Sequence, residues 1–285
     1  MRPSVPERGL PYLLLGPSLL FLVVFYAWPL VEAIRTAFTA EGTLGLGNFR
    51  TMAADLNFRT ALRNTLLLVV SVVPIQLALA LALGTLLGRT ARGRDLYLYV
   101  WTIPLGVSDL AAGLVWLAIM GERGYLNTVL GALGLVHRPT LWLSYETPGV
   151  LFAAVVAAEV WRATAIVLVI VVAGMQLVPR EYGEAADVFG ATPWQRFRKV
   201  SLPLLKPSIQ TALILRTILA FEVFAVVLTL GGRDLPVLMG EAYNWQYAYE
   251  NTGVASALAV VILVLSLLAT LVYLRLLRVR EETIG

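Results

Sequence analysis

Five ionisable side chains stand where this chain can least accommodate them: Asp109, Glu159, Arg162, Arg216 and Glu222 all fall inside or beside long apolar runs. Charge in an apolar medium is costly, so such residues mark pathways, internal pairs or gates rather than decoration. Glu159 and Arg162 are three apart, which on a helix lets them pair with each other. For Glu222 a salt bridge with Arg216 or Arg162 and a gating role are both open. Other chemistries are closed off by residue type. The chain has no cysteine and one histidine, His137, which removes thiolate catalysis, Cys-based metal sites and a His-rich metal site. It offers no carboxylate pair with a histidine and no nucleophile motif, so a membrane-embedded enzyme lacks its catalytic cluster. No Gly-x-x-x-x-Gly-Lys-Ser/Thr loop occurs, and the two lysines, Lys199 and Lys206, follow no glycine-rich turn. The chain is therefore not expected to hydrolyse ATP.

The elements that hold these residues follow from composition. With 285 residues, 59% hydrophobic and 14% charged, and a mean hydropathy of +0.79, there is too little polar surface to cover a soluble globule. An all-α integral membrane protein is expected. Runs near the ~20 residues that a bilayer demands give six spans, at about 11–34, 64–88, 96–120, 150–178, 208–230 and 253–277, in a single membrane domain over 1–285. The first run is too long for the apolar core of a signal peptide and lacks a small-residue cleavage site, so it is read as a span.

Of the 22 Lys and Arg residues, thirteen lie at the two termini, between the second and third spans, and between the fourth and fifth; seven lie in the opposite loops and two inside spans. The positive-inside bias places both termini in the cytoplasm. The same placement accounts for the net charge of +4, so no nucleic-acid partner is expected. The opposite loops carry Gly121-Glu122-Arg123-Gly124-Tyr125-Leu126-Asn127 and Tyr243-Asn244-Trp245-Gln246-Tyr247, aromatics suited to the headgroup level or to an external partner.

One polar segment, about 179–207, is too long for a turn and too short for a domain. Glu184 to Val188 is compatible with helix, Gly190 can end it in a left-handed conformation, and Thr192-Pro193 reads as an N-cap followed by proline at the first helical position. Trp194 to Val200 then has an apolar stripe of Trp194, Phe197 and Val200 or Ser201 against Gln195, Arg196, Arg198 and Lys199, and should lie along the membrane surface. Pro203 and Pro207 are expected to break the chain before the next span. Ala185, Ala186, Gly190 and Ala191 leave a low profile that permits close approach by another protein. An amphipathic interfacial helix without a partner explains the stripe but not the small-residue turn.

Glu184-Ala185-Ala186, Gly190-Ala191, Phe197 and Leu202-Pro203 with Pro207 resemble the cytoplasmic loop, with its EAA motif, of the permease subunits of bacterial and archaeal binding-protein-dependent ABC importers. Asn64-Thr65, Pro104, Trp116, Gly124 with Asn127, Trp161, Gln176 with Pro179, and Thr229 with Gly231-Gly232 are similar to the carbohydrate-uptake branch of maltose-type and glycerol-phosphate-type permeases, on the side of the first of the two dissimilar permeases. The resemblance implies a coupling helix at about 181–191, with Glu184, Ala185, Ala186, Asp187, Gly190 and Ala191 docking on an ATPase. It implies as partners a second homologous permease in a heterodimer, an ATP-binding subunit dimer that uses the ATP and Mg, an extracytoplasmic substrate-binding protein and the lipid bilayer. No cofactor on this chain is implied, and the location is a bacterial or archaeal inner membrane. The family usually has Asp before the Gly, where this chain has Phe189; Asp187 is near enough to replace part of that contact.

Phe221-Glu222-Val223-Phe224 resembles the stretch that in maltose-type permeases presents a polar side chain beside an aromatic one to the sugar. The resemblance implies a pathway of Glu222, Phe221, Ile218 and Ala225 with Ala163, Thr164 and Ile166 from the fourth span. A di- or oligosaccharide is the implied cargo, with glycerol-phosphate or another polyol-like solute as the alternative. An acid at 222 disfavours a phosphorylated cargo. A secondary transporter would also account for six spans, yet gives no reason for the polar segment.

Overall fold

The structure, a computed structural model, describes residues 10–89 and 93–277. The elements in chain order are α1 (Leu10–Leu22), α2 (Trp28–Ala37), β1 (Thr39–Ala40), β2 (Thr43–Leu44), α3 (Gly47–Ala54), α4 (Phe58–Arg89), α5 (Arg94–Thr102), α6 (Asp109–Met120), α7 (Tyr125–Ala132), α8 (Pro148–Leu177), α9 (Arg180–Val188), α10 (Pro193–Arg196), α11 (Leu202–Leu204), α12 (Lys206–Phe221), α13 (Ala225–Gly231), α14 (Leu238–Tyr247) and α15 (Thr252–Leu276). Their contacts group into two compact units, one running up to Asp55 together with Glu241–Val261, the other Leu56–Gly240 together with residues from Ile262 on.

Among the described residues four helices, Leu14–Ala37, Phe58–Leu87, Pro148–Leu177 and Thr252–Leu276, are long and apolar enough to cross a membrane. Two bent pairs bring the number to the expected six if each is one span: Asp95–Gly106 with Asp109–Ala132, bent by 99°, and Pro193–Leu204 with Lys206–Phe221, bent by 69°. The third span is thus not the straight helix its hydropathy suggests. Pro104 sits in a 3-10 turn over Ile103–Gly106, and Ser108 then caps a new helix by accepting from the Ala111 amide. The fifth span also departs from expectation, because α12 stops at Phe221 and α13 starts at Ala225.

Two π turns, one in each unit, accommodate prolines that would otherwise break their helices. Val23–Ala27 forms a π turn between α1 and α2, and Phe197–Ser201 forms another between α10 and α11 in the second unit. Each is followed two residues later by a proline, Pro29 or Pro203. A proline ring collides with the carbonyl four residues before it, here at Phe25 or Lys199, and both lie inside the widened turn. The chain therefore continues helically through Pro203, against the sequence expectation, and turns only at Leu205, ahead of Pro207 in the first turn of α12.

Asn48 closes the first unit: its buried side-chain amide donates to the carbonyls of Thr36, Ala37 and Thr39 at 3.0–3.2 Å. β1 and β2 form a two-residue hairpin whose turn, Glu41-Gly42, has positive φ at both positions. Gly253 leaves room for Asn48, since a Cβ there would lie 2.6 Å from the amide nitrogen.

In the second unit α4, α6, α8, α12 and α13 pack around two apolar clusters. One joins Leu68, Ala112, Leu151, Val155, Ala158, Val226 and Leu230; the other joins Ala80, Val167, Leu168, Val171, Val172 and Ala212. Close approach of α8 and α12 rests on Gly174, where any Cβ would collide with Ser208. Away from these clusters Asn127 fastens the α6–α8 connection, donating to Glu122 and Thr140 carbonyls at 2.9 Å and accepting from the Thr140 amide and Trp142 Nε1 at 3.1 Å.

Replacing Gly174 by Leu should force the α8–α12 crossing apart and cost about 1–3 kcal/mol. Thermal unfolding of the purified protein is expected to shift to lower temperature, with Gly131→Leu, where no atom lies within 4 Å, as the neutral control.

Candidate functional site

The segment between α8 and α12 folds as a closed hairpin of two short helical limbs. α9 ends in a Schellman arrangement: the Gly190 amide bonds to the Asp187 carbonyl at 3.0 Å and the Ala191 amide to the Ala186 carbonyl at 2.9 Å, with Gly190 at φ +71°. Thr192 and Gln195 form a capping box, each side chain bonding the other's backbone amide, with Pro193 at the start of the new helix. The limbs are bridged by Arg196 Nη1 to Asp187 Oδ2 at 2.8 Å. The guanidinium lies flat over buried Gly183, whose Cβ, if present, would meet it at 2.5 Å. Asp187 thus spends one oxygen on Arg196 while its side chain stays exposed beside Phe189.

At its tip this hairpin is apolar. Val188 is 86% exposed and Phe189 89% exposed at its tip, and Glu181, Tyr182, Glu184 and Ala185 are exposed beside them, while Ala186 is half-buried. Trp194 stacks on Phe197 at 5.6 Å, the stripe that the spacing predicts.

The buried charges form one network across four helices. Arg216 of α12 donates from Nη2 to Glu159 Oε2 at 2.8 Å, and both side chains are 1% exposed. Arg162 donates to both Glu159 oxygens at 3.2 Å and pairs with Asp109 of α6 at 2.7 Å. Gln76 of α4 accepts from Arg216 Nε and donates to the Glu159 backbone carbonyl at 2.8 Å. Two carboxylates and two guanidiniums balance. The expected Glu159–Arg162 pair exists, but Arg216, rather than Glu222, is its third member. Gln76 is the residue that sequence reasoning passed over. It is the lone amide between Thr65 and Arg89 in an apolar run, and that isolation is the signal that could have found it.

Glu222 is exposed at the C-terminus of α12, where the fifth span unwinds over Glu222–Phe224, and it takes part in no ion pair with Arg216 or Arg162. Thr211, Leu215, Leu219 and Glu222 form an exposed stripe on α12, with Ile218 half-buried next to it. Ala225 and Ile166 are half-buried; Phe221, Ala163 and Thr164 are buried, and Thr164 Oγ1 donates to the Val160 carbonyl. The structure thus leaves Glu222 on a free face and packs Ala163 and Thr164 inside. Among the described residues no group of three or more His, Asp or Glu is placed to hold a metal ion.

A helical membrane bundle that unwinds one span beside an exposed carboxylate, and carries a braced apolar knob on a polar loop, has the parts of a transport subunit. Residues 51–279 match the family described as binding-protein-dependent transport system inner membrane component, and the chain belongs to that family. It is 33% identical over 267 residues to the trehalose transport system permease protein SugA of Mycobacterium tuberculosis, covering 90% of this chain and 84% of that one. It is 32% identical over 292 residues to the sulfoquinovosyl glycerol transport system permease protein SmoG of Agrobacterium fabrum, covering 96% and 92%. To the trehalose/maltose transport system permease protein MalF of Thermococcus litoralis it is 30% identical over 289 residues, covering 97% and 96%. In fold it is similar to a chain of a bacterial ABC transporter involved in the import of the acidic polysaccharide alginate, with a TM-score of 0.82 at 21% identity over 97% of this chain and 98% of that one. The chain is a membrane permease component of an importer, with the ABC importer permease fold.

Arg216→Met leaves Glu159 with one guanidinium in an apolar setting and should cost about 3–5 kcal/mol, whereas Arg216→Met with Glu159→Met should recover much of the loss. Unfolding midpoints of the two purified variants, measured side by side, check both signs.

Proposed function

We propose that this chain is one of two homologous permeases of an ATP-driven importer that carries a sugar, a di- or oligosaccharide, across the cell membrane. The observation that carries the reading is the hairpin. Val188 and Phe189 stand in water on a turn that Gly190, the Thr192 capping box and the Arg196–Asp187 ion pair hold rigid. Exposed apolar side chains on a preorganised support are the mark of a docking surface.

The docked partner is an ATPase dimer, which binds and hydrolyses ATP with Mg; this chain supplies no phosphate loop. Glu184, Ala185, Ala186, Asp187, Gly190 and Ala191 form the part inserted into it, and Phe189 supplies apolar contact in place of a polar one. An extracytoplasmic binding protein delivers the cargo to the opposite side, and the termini lie in the cytoplasm with the hairpin, a reading that the distribution of Lys and Arg supports. α8 runs into the hairpin and α12 leaves it, so force applied there reaches two of the four helices that hold the charge network.

Glu222 is the polar contact for the cargo. Its carboxylate stands on the free stripe of α12 at the unwound break, with Ile218 and Ala225 beside it. Broken spans place such groups at mid-membrane sites. Ile166 belongs to the same pathway. Phe221, Ala163 and Thr164 are buried in this conformation, and reach the cargo only through the rocking of spans that alternating access supplies. The relatives that carry trehalose, maltose and sulfoquinovosyl glycerol support a sugar cargo. The acid at 222 weighs against a phosphorylated one.

Reconstituted alone, the chain should show no ATPase activity; assembled with the second permease, the ATPase pair and a binding protein, it should show substrate-stimulated hydrolysis and uptake. Hydrolysis by the lone chain sinks the assignment. Gly190→Val forces a β-branched residue into the left-handed region at about 1–2 kcal/mol and should lower uptake while hydrolysis continues. Normal uptake in both Gly190→Val and Glu184→Trp would remove the docking role. Glu222→Gln should change the ranking of sugars transported; an unchanged ranking rejects the pathway role of Glu222.

A further inference from the structure

Between the end of α4, the end of α8 and the hairpin lies a cleft of about 1090 Å³. It is larger than the ~300–1,000 Å³ of ordinary small-molecule sites. Its wall on α4 is the stripe Ala78, Ala82 and Leu86, exposed at successive turns; Met175 and Val178 close it from α8, and Val200 and Leu205 from the second limb. Gly84 keeps the α4 wall low, with the flexible Met175 thioether 3.0 Å from where its Cβ would be. At the mouth stand Arg180, Arg196 and Trp194.

We propose that this cleft binds one anionic phospholipid, its acyl chains along the Ala78–Ala82–Leu86 wall and its phosphate at Arg180 and Arg196. Three observations carry this. The wall on α4 is helical, so its backbone amides and carbonyls are engaged within the helix. It therefore offers no ladder to an extended peptide, whose own amides would go unpaired, whereas an acyl chain needs none. The polar end of the cleft holds Arg180 and the Arg196–Asp187 pair, a net positive charge, while the body is apolar, which matches an anionic headgroup on a hydrocarbon tail. Arg180 is exposed and in no ion pair that the structure shows, while Arg196 spends one nitrogen on Asp187 and keeps others for a phosphate. The surrounding sequence is basic as well: Arg198, Lys199 and Lys206 lie in the same stretch of chain as Trp194, Val200 and Leu205, which line the cleft, and basic residues flanking spans sit at the headgroup level. A lipid so placed would join the hairpin to the spans with hydrocarbon, in addition to the two chain crossings.

The test uses the assembled importer, purified and transferred into nanodiscs of phosphatidylcholine with a minor share of phosphatidylglycerol bearing a photoreactive acyl chain. Labelling is expected on 78–86, 175–178 and 200–205, and mass spectrometry after exhaustive detergent exchange should find phosphatidylglycerol retained over phosphatidylcholine. Arg180→Gln should lower that retention about five-fold, the effect of one basic residue at a membrane surface. Ala82→Trp fills the cleft without changing charge and should abolish labelling of the same three segments. Labelling spread evenly over the outer faces of the spans overturns the proposal, as does equal retention of the two lipids. So does cross-linking of a photoreactive residue at position 82 to the second permease, which would make a protein helix the occupant. The wild-type labelling map decides the matter even if either variant fails to assemble.

Discussion

The carboxylate of Glu159 is held between two guanidiniums, and the packing of the second unit depends on it. Its layer contains Gln76, Glu159 and Arg216, each fully buried, and lies between the cluster around Val155, Ala158 and Val226 and the cluster around Ala80, Val167 and Ala212. Apolar contacts are non-directional, so two smooth layers of Ala, Val and Leu would allow α4, α8 and α12 to slide by a turn. Hydrogen bonds are directional. A slip of one residue would strand two charges in an apolar setting, an error far more costly than any apolar mismatch. The polar layer thus fixes the register of the helices, and the apolar layers supply the contact area.

Register has value here because the same helices enter and leave the polar hairpin. α8 carries Glu159 and Arg162 and ends at Leu177, three residues before the start of α9; α12 carries Arg216 and starts just past the Leu205 bend. A rigid hairpin on rigid helices moves as a lever, whereas a loose one would dissipate displacement in its own loop. Each joint of the hairpin is accordingly closed, by the Schellman turn at Gly190, the capping box at Thr192 and the ion pair over Gly183. The helices are interrupted elsewhere, at the bend before Asp109 and the unwound residues Glu222–Phe224. Asp109 is also the half-exposed end of the charge network, so a movement of α6 can open its pair with Arg162 without unburying Glu159.

Much of this was legible in the residues. Local signals that act over a few positions, such as Gly190 for a left-handed turn, Thr192-Pro193 for a helix start and the Trp194–Phe197 spacing for a stripe, led to the right local structure because the chemistry is contained in the segment. Hydropathy located the spans but not their breaks, since it averages over a window in which Pro104 and Glu222 each count once. Pro203 misled for a different reason: whether a proline stops a helix depends on the carbonyl four residues earlier, and the π turn that moves Lys199 aside leaves no mark in composition. Long-range partners were the least legible. Glu159 and Arg162 are neighbours on one helix and were paired from spacing, whereas Gln76 and Arg216 are 140 residues apart and meet only when the fold brings them together. Glu222 was open between roles that the sequence could not separate, and its exposure removes the salt bridge from among them.

The bare phenylalanine at the hairpin tip also bears on how cells must make this protein. Any copy that reaches the membrane ahead of its water-phase partner displays Val188 and Phe189 to the surveillance machinery, and exposed apolar surface is what chaperones and proteases sort on. Surplus chains would be recognised by the same residues that we propose as the docking surface, so supply of this subunit would be policed by that surface.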